Sequence, residues 1–170
     1  PYIDETVDKM IADGIAYESQ GATVVDIAEE TDTKELPPCI VRKSDGAALY
    51  ATSDLATIVE REKLYKPDTY IYLADKRQEL HFTQVFRTAK KAGIVRPDVN
   101  MTFVGFGTMN GKDGKPFKTR SGGVMRLEHL IADIDNAVLN KIKENRSVSE
   151  EEAQETSKIV GLAALKYGDL

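Results

Sequence analysis

The sequence predicts an α/β fold built around a βαβ unit, and three features of the chain predict it. Residues 70–74 (Tyr-Ile-Tyr-Leu-Ala) form a short apolar run that is typical of a buried parallel strand. A helix over 77–92 follows and ends at Gly93. Its core-facing residues recur at helical spacing, namely Phe82, Val85, Phe86 and Ala89. Residues 101–106 form a second buried-strand candidate, so we expect a right-handed crossover.

Short elements are predicted for the part of the chain before this unit. Apolar spacing predicts an amphipathic helix over 4–14, and the β-branched residues 22–27 predict a strand. Residues 29–38 are polar and end in Pro-Pro, which predicts a loop. Residues 39–42 and 48–51 are apolar runs on either side of Ser-Asp-Gly, an arrangement typical of a β-hairpin.

The last third of the chain is predicted to be a loop followed by two helices. Residues 108–123 are rich in Gly and Lys and should form the loop. Residues 127–145 and 149–167 have helical patterns, and Ser149 with Glu152 forms a capping-box signature at the start of the second helix.

Composition excludes several classes of protein. The 170 residues are 41% hydrophobic and 30% charged, which is typical of a soluble globular domain. No apolar run approaches the roughly 20 residues that span a bilayer, and the acidic N-terminus lacks the apolar core of a signal peptide. The single cysteine, Cys39, excludes an internal disulfide and a cysteine-based zinc site, and it fits a reducing compartment.

The net charge of −5 is unevenly distributed. Residues 1–35 contain 10 Asp and Glu against 2 Lys and Arg, whereas residues 36–170 contain 18 acidic and 21 basic residues. An acidic protein is a poor candidate for nonspecific nucleic-acid binding, but a local basic site remains possible in the second part.

Polar residues at the junction after the strand at 70–74 point to a cavity. Gln78 and His81 extend the core-facing stripe of the predicted helix by one turn, yet both are polar. The carboxyl end of a strand is where open α/β sheets bind ligands. The alternative is that both side chains are hydrogen-bonded buried groups or caps.

Tyr50 and Asp54 form a second candidate group, between a predicted strand end and a predicted helix over 55–63. An aspartate in a pocket there would pair well with a planar cationic group through two hydrogen bonds. The alternative is that Ser53 or Asp54 simply caps the helix.

A third candidate is the glycine-rich basic loop over 111–123. Glycines let backbone N–H groups approach an anion, and cations neutralise phosphate charge. The cationic residues of the loop are Lys112, Lys115, Lys118 and Arg120. The spacing is not that of a P-loop, and a solvated hairpin tip is the alternative. The only histidines, His81 and His129, do not form a metal-binding HExxH pair, and no Gly-x-Ser-x-Gly nucleophile motif occurs.

Taken together and in order, these groups resemble the arginyl-tRNA synthetases, a family of class I aminoacyl-tRNA synthetases. The resemblance runs from about residue 2 to the end. Its most specific part is the stretch from Gly105 to Gly123 (GFGTMNGKDGKPFKTRSGG). The other segments that carry it are Lys43–Gly46 with Tyr50–Asp54, Asp75–His81 and Val160–Asp169.

The resemblance implies an activity and a set of site residues. The family activates L-arginine with ATP to arginyl-adenylate and transfers the arginine to tRNA(Arg), so ATP is a substrate, accompanied by Mg²⁺. The arginine-binding positions match Tyr50, Asp54 and Gln78, with Asp54 facing the guanidinium. The ATP-binding positions match His81, Gly105, Phe106, Phe117 and Lys118. The candidate catalytic cations are Lys118, Arg120 and Lys115, and no metal site in protein side chains is expected.

Two departures from the class pattern matter. Residues 116–123 fall where class I enzymes carry their Lys-Met-Ser-Lys-Ser signature, but Thr119 occupies the place of the second lysine. Either Lys118 or Arg120 can take over its role, and the sequence leaves this choice open. The His-Ile-Gly-His-type motif of the class does not occur anywhere in the chain.

The resemblance therefore predicts a fragment: an α/β second half of a Rossmann-type doubly wound parallel sheet, with an N-terminal inserted piece that contains a β-hairpin. Residues 1–46 are assigned to the inserted segment, 47–147 to the catalytic domain, and 148–170 to a helix leading toward an anticodon-binding domain. The fragment is expected to be cytoplasmic, without a membrane partner, and inactive or nearly so alone. It can self-associate through an exposed core. The alternative is a stand-alone, noncatalytic module that binds arginine, nucleotide or a protein.

Overall fold

The computed structural model describes residues 2–107, 126–145 and 147–169, which form two compact units, one ending at Gly105 and the other beginning at Phe106. The first unit is mixed α/β, and the second contains two helices. In chain order the elements are α1 (Ile3–Ala12), β1 (Ala16–Ser19), β2 (Ala22–Val25), β3 (Cys39–Arg42), α2 (Tyr50–Leu64), β4 (Thr69–Asp75), a 3₁₀ turn (Lys76–Gln78), α3 (Glu79–Lys91), β5 (Asn100–Phe106), α4 (Leu127–Asn145) and α5 (Glu150–Asp169).

An antiparallel sheet of three described strands, in the order β1-β2-β3, lies near the N-terminus. Strands β1 and β2 form a hairpin in which Ser19 pairs with Ala22 across a two-residue turn. The turn residues, Gln20 and Gly21, both have positive φ values of 52° and 80°. This geometry matches the twist of the paired strands, as in type I′ hairpins. Residues 1–46 thus contain a β-hairpin, but β1 and β2 form it rather than the two runs that the sequence predicted. Strand β1 is too polar for the sequence pattern to have identified it.

The hairpin predicted between residues 39–42 and 48–51 is wrong. Strand β3 pairs with β2 instead, with Val25 opposite Cys39. The Asp-Gly turn itself is present, because the Lys43 N–H donates to the Ala47 carbonyl at 3.0 Å and Gly46 has a φ of 80°. After the turn the chain enters helix α2 rather than a strand.

Helix α2 begins at Tyr50, several residues earlier than predicted, because Thr52 fixes its start. The fully buried Thr52 hydroxyl accepts a hydrogen bond from the Leu49 N–H at 3.2 Å and donates one to the Val41 carbonyl at 2.7 Å. The capping role predicted for Ser53 or Asp54 is therefore wrong. Both residues lie within the helix. The Asp54 carboxylate is about one turn from the start of α2, so it is not needed as a cap and can contact other groups.

The core of the first unit joins α1, the three-stranded sheet, α2, α3 and β4 in one apolar cluster. Its largest fully buried side chains include Met10, Leu55, Ile58, Val85 and Val99. Helix α2 packs against α1, α3 and β3, so its position is fixed from three sides.

Strands β4 and β5 are parallel neighbours, and α3 connects them, which confirms the predicted βαβ unit. Gly93 ends α3 as predicted: its φ is 61°, and the Ile94 N–H returns to the Ala89 carbonyl at 2.9 Å. The expectation of a fully buried strand is wrong, because Ile71 and Leu73 are 68% and 62% exposed. Both residues lie on one face of the strand, since side chains two apart point the same way.

In the second unit, α4 and α5 pack against each other and match the two predicted helices. The Glu152 N–H donates to the Ser149 hydroxyl at 3.2 Å, which confirms Ser149 as the cap of α5. Gly161 allows the close approach of the two helices, because a Cβ atom there would overlap the carboxylate of Asp135. No helix in the described part of the chain is long and apolar enough to cross a membrane.

We predict that Thr52→Val destabilises the first unit by about 1–3 kcal/mol, because it leaves the buried Val41 carbonyl and the Leu49 N–H without this partner. Denaturant unfolding measures the change. Thr57→Val is the matched control on the same helix, since among the described residues the Thr57 hydroxyl bonds only to the Ser53 carbonyl, one turn before it. Equal losses for both variants would contradict the role of Thr52.

Candidate functional site

The site is centred on a hydrogen-bonded pair that joins two helices. Asp54 of α2 and His81 of α3 approach to 2.6 Å between Oδ2 and Nε2. Their side chains are 33% and 24% exposed, so the pair is partly desolvated yet open to a ligand. The ring of His81 packs edge-on against Phe82 at 5.0 Å, which holds the imidazole in place. Of the two roles that the sequence left open for Asp54, capping of α2 is excluded, because the Asp54 carboxylate contacts His81 instead.

An aromatic cluster packs against this pair through the contact between Phe82 and His81. Tyr72 of β4 contacts the rings of Phe82 and Phe86 at 5.0 and 5.2 Å. Its hydroxyl accepts a hydrogen bond from Arg61 at 3.1 Å. Burial raises the pKa of Tyr72, and the negative charge of Asp54 acts in the same direction, against the opposing effect of Arg61. The Tyr72 hydroxyl therefore stays protonated across the neutral range.

Sequence reasoning missed Tyr72. Its place in the fully apolar run at 70–74 indicated a core residue rather than a neighbour of Asp54. The available signal was that Tyr72 comes three residues before the end of the strand, next to the polar junction that Gln78 and His81 had already indicated.

A groove of about 700 Å³ opens beside His81. Cavities of this size hold small-molecule ligands. Pro37 and Pro38 form one wall, and the start of α2, including the 88% exposed Tyr50, forms another. Gln84, one turn after His81, also lines the groove and donates its amide N–H groups to the carbonyls of Pro37 and Pro38 at 3.0 and 3.1 Å. Gln84 was not among the predicted site residues, although its i+3 spacing from His81 places both on one face.

The structure brings together some of the residues predicted to bind arginine, Tyr50 and Asp54, and one predicted to bind ATP, His81. Tyr50 and His81 line the same groove, and Asp54 contacts His81 directly. Gln78 is exposed and lies at the N-terminal end of α3, one turn before His81. The preceding turn is held by Asp75, whose carboxylate accepts the Arg77 N–H at 2.9 Å.

Gly105 and Phe106 lie at the end of β5, where the predicted nucleotide loop follows. A Cβ atom at Gly105 would lie 3.1 Å from the Lys76 Cα atom and 3.0 Å from the Phe103 ring, so glycine permits the close approach to the turn after β4. The remaining predicted site residues lie outside the described residues, namely Lys115, Phe117, Lys118 and Arg120. Within the described ranges, no group of three or more His, Cys, Asp or Glu residues could hold a metal ion.

Comparison with known sequences gives a consistent result. Residues 1–170 match the protein family described as tRNA synthetases class I (R), catalytic domain. The chain is 59% identical to the arginine–tRNA ligase of Agathobacter rectalis, covering 100% of this chain and 30% of the relative. It is 58% identical to that of Alkaliphilus oremlandii, covering 99% of this chain and 29% of the relative. The chain thus spans about 30% of the length of these relatives.

Solved structures support the same fold. The arginyl-tRNA synthetase of Plasmodium falciparum superposes with a TM-score of 0.73 at 20% identity, covering 98% of this chain and 27% of that protein. The arginyl-tRNA synthetase of Thermus thermophilus gives a TM-score of 0.68 at 15% identity, covering 97% of this chain and 33% of that protein.

Proposed function

Because the chain belongs to the catalytic-domain family of the class I arginyl-tRNA synthetases, we propose that it forms part of an arginine–tRNA ligase. In this proposal the ligase activates L-arginine with ATP and transfers it to tRNA(Arg). The observation that carries the proposal is the Asp54–His81 pair beside the groove that Tyr50 lines. A partly desolvated carboxylate next to a groove of small-molecule size suits a ligand with a planar cation.

Asp54 binds the guanidinium group of arginine in this proposal. Its carboxylate receives one hydrogen bond from His81, which orients it, and its one-third exposure leaves access for a second donor. A guanidinium presents parallel N–H groups that match a carboxylate better than a lysine ammonium does. Tyr50, on the same helix and four residues before Asp54, flanks the substrate, and Gln78 contributes a further polar contact.

ATP binds next to the arginine, with His81, Gly105, Phe106, Phe117 and Lys118 as the proposed contacts. The arginine carboxylate attacks the α-phosphorus, pyrophosphate leaves, and arginyl-adenylate forms. A ribose hydroxyl at the tRNA 3′ end then attacks the carbonyl carbon of the adenylate and releases AMP. The enzyme positions these groups and offsets the charge that develops on the triphosphate. Mg²⁺ would accompany ATP as part of the substrate and would offset phosphate charge, and no described residue is assigned to hold it.

Two further parts of the proposal concern the protein as a whole. Its location is cytoplasmic, where a buried free thiol such as Cys39 stays reduced. The exposed apolar residues of β4, Ile71 and Leu73, provide a surface through which the isolated chain self-associates.

We predict that Asp54→Ala, made in the complete ligase that contains this sequence, raises the KM for arginine about 100-fold and the KM for ATP far less, since it removes a desolvated charge partner. ATP–pyrophosphate exchange at varied arginine and ATP measures both constants. Glu60→Ala is the control, because Glu60 is an exposed carboxylate on the same helix. Equal losses for arginine and ATP would argue against guanidinium binding by Asp54.

We predict that Lys118→Ala in the same ligase lowers the exchange rate at saturating substrates about 100-fold, because one fewer cation offsets the triphosphate charge. Lys90→Ala, an exposed lysine on α3, is the control. An unchanged rate for Lys118→Ala would move the role to Arg120 or Lys115, which the corresponding alanine variants would identify.

We predict that the 170-residue chain, produced alone, catalyses no arginine-dependent ATP–pyrophosphate exchange. It contains no His-Ile-Gly-His-type motif and spans about 30% of its relatives. Full exchange activity from the isolated chain would overturn the prediction that these 170 residues hold only a part of the active site.

A further inference from the structure

Helix α3 holds an irregular segment, residues 26–38, against the first unit through a row of polar side chains. Gln84 donates to the carbonyls of Pro37 and Pro38, as described above. Two turns further along the helix, Lys91 donates to the Asp26 carbonyl at 2.7 Å. The segment contains no helix or strand, so its position depends on such side-chain contacts.

Arg87 makes the strongest of these contacts. Its two terminal nitrogens each lie 2.7 Å from one carboxylate oxygen of Asp32, a bidentate arrangement. The same guanidinium donates to the Ile27 carbonyl at 3.0 Å and approaches Glu29 at 3.4 Å. The side chains of Arg87 and Asp32 are only 21% and 16% exposed, so solvent screens this pair less than an exposed ion pair.

Asp32 connects the guanidinium to the backbone of the segment. Its carboxylate accepts the Glu29 N–H at 2.9 Å, and its own N–H donates to the Glu29 carbonyl at 3.0 Å. The hydrogen bond from Arg87 lowers the pKa of Asp32 to about 2, with a further contribution from the Glu29 N–H. The contact is therefore fully charged at any pH near neutrality, and its contribution declines only below about pH 4, as Asp32 protonates.

The segment that Arg87 holds continues into the wall of the groove. Pro37 and Pro38 follow Asp32 by five and six residues, and both line the groove that the start of α2 also lines. His81 and Arg87 are six residues apart on one helix. A single rigid element thus carries both the partner of Asp54 and the anchor of the wall, which fixes the distance between them.

We propose that Arg87 is a positioning residue for the arginine site: through Asp32 and Ile27 it holds segment 26–38 so that Pro37 and Pro38 close one side of the groove. This proposal rests on the proposed function, since it assigns the groove to arginine. Arg87 touches no substrate. Its loss loosens the wall, lowers the contact area available to arginine, and leaves the ATP contacts in place.

The test uses the complete ligase and ATP–pyrophosphate exchange. Arg87→Ala is expected to raise the KM for arginine about 10-fold, because misplaced binding groups lose affinity, while the KM for ATP changes less than about 2-fold. Arg87→Lys keeps the charge but not the bidentate geometry, so it restores the KM only in part. Asp32→Asn keeps the size of the side chain and produces the same selective change to a smaller degree. The double variant Arg87→Ala/Asp32→Asn is no worse than Arg87→Ala, since both act through one contact.

Arg96→Ala is the matched control. Arg96 also pairs with two carboxylates, Glu62 of α2 at 3.5 Å and Asp68 just before β4 at 3.0 Å, but it is not among the residues that line the groove. The KM for arginine of the Arg96→Ala variant is expected to be unchanged. An equal rise for Arg96→Ala, an equal rise in the KM for ATP, or an unchanged arginine KM in Arg87→Ala and Asp32→Asn would overturn the positioning role.

The same assay separates this proposal from the proposed function. A selective effect of Asp54→Ala without one of Arg87→Ala overturns the positioning role alone. No selective effect of either variant overturns the assignment of the groove to arginine. If Arg87→Ala does not fold, Arg87→Lys and Asp32→Asn carry the test, because both keep most of the packing of the native side chains.

Discussion

The buried hydroxyl of Thr52 fixes the geometry on which the candidate site depends. It ties the first turn of α2 to the end of β3, through the Leu49 N–H and the Val41 carbonyl. Both are backbone groups, whose burial without a partner is costly. Because this contact sets where the helix begins, Tyr50 reaches the groove and Asp54 lies one turn later, facing His81. A different starting residue would rotate both side chains around the helix axis, by about 100° per residue.

Helix α3 completes the site because one of its faces packs in the core and the other makes polar contacts around the groove. The apolar face, with Val85 and Ala89 fully buried, fixes the helix in the core. The polar face carries His81, Gln84 and Arg87, which contact α2 and segment 26–38. Packing of the apolar face in the core thus fixes where the side chains of the polar face lie. The same core that stabilises the fold therefore places the groups that surround the groove.

The acidic character of residues 1–35 has a structural counterpart. Asp8 pairs with Arg42 at 2.8 Å, and Asp32 pairs with Arg87 at 2.7 Å. Cations from later in the chain thus neutralise part of the excess negative charge: Arg42 of β3 contacts Asp8 of α1, and Arg87 of α3 contacts Asp32. The first of these pairs is more exposed than the second and contributes correspondingly less to stability.

The sequence by itself determined the elements whose signals are local. The apolar strand at 70–74, the periodic stripe of α3 and the stop at Gly93 depend on side-chain spacing and on backbone freedom, which neighbouring residues reveal. The motif from Gly105 to Gly123 also identified the family.

Tertiary contacts alone decided which strands pair and where the helices begin. In the sequence, β3 could pair either with β2 or with the apolar run at 48–51. The hydrogen bond from the Thr52 hydroxyl to the Val41 carbonyl favours a helix for the second of these, so β3 pairs with β2. Likewise, the sequence around Asp54 fits a helix cap as well as a binding site, and local pattern alone favours the cap. The 2.6 Å contact with His81 exists only because the folded core brings together residues that are 27 positions apart.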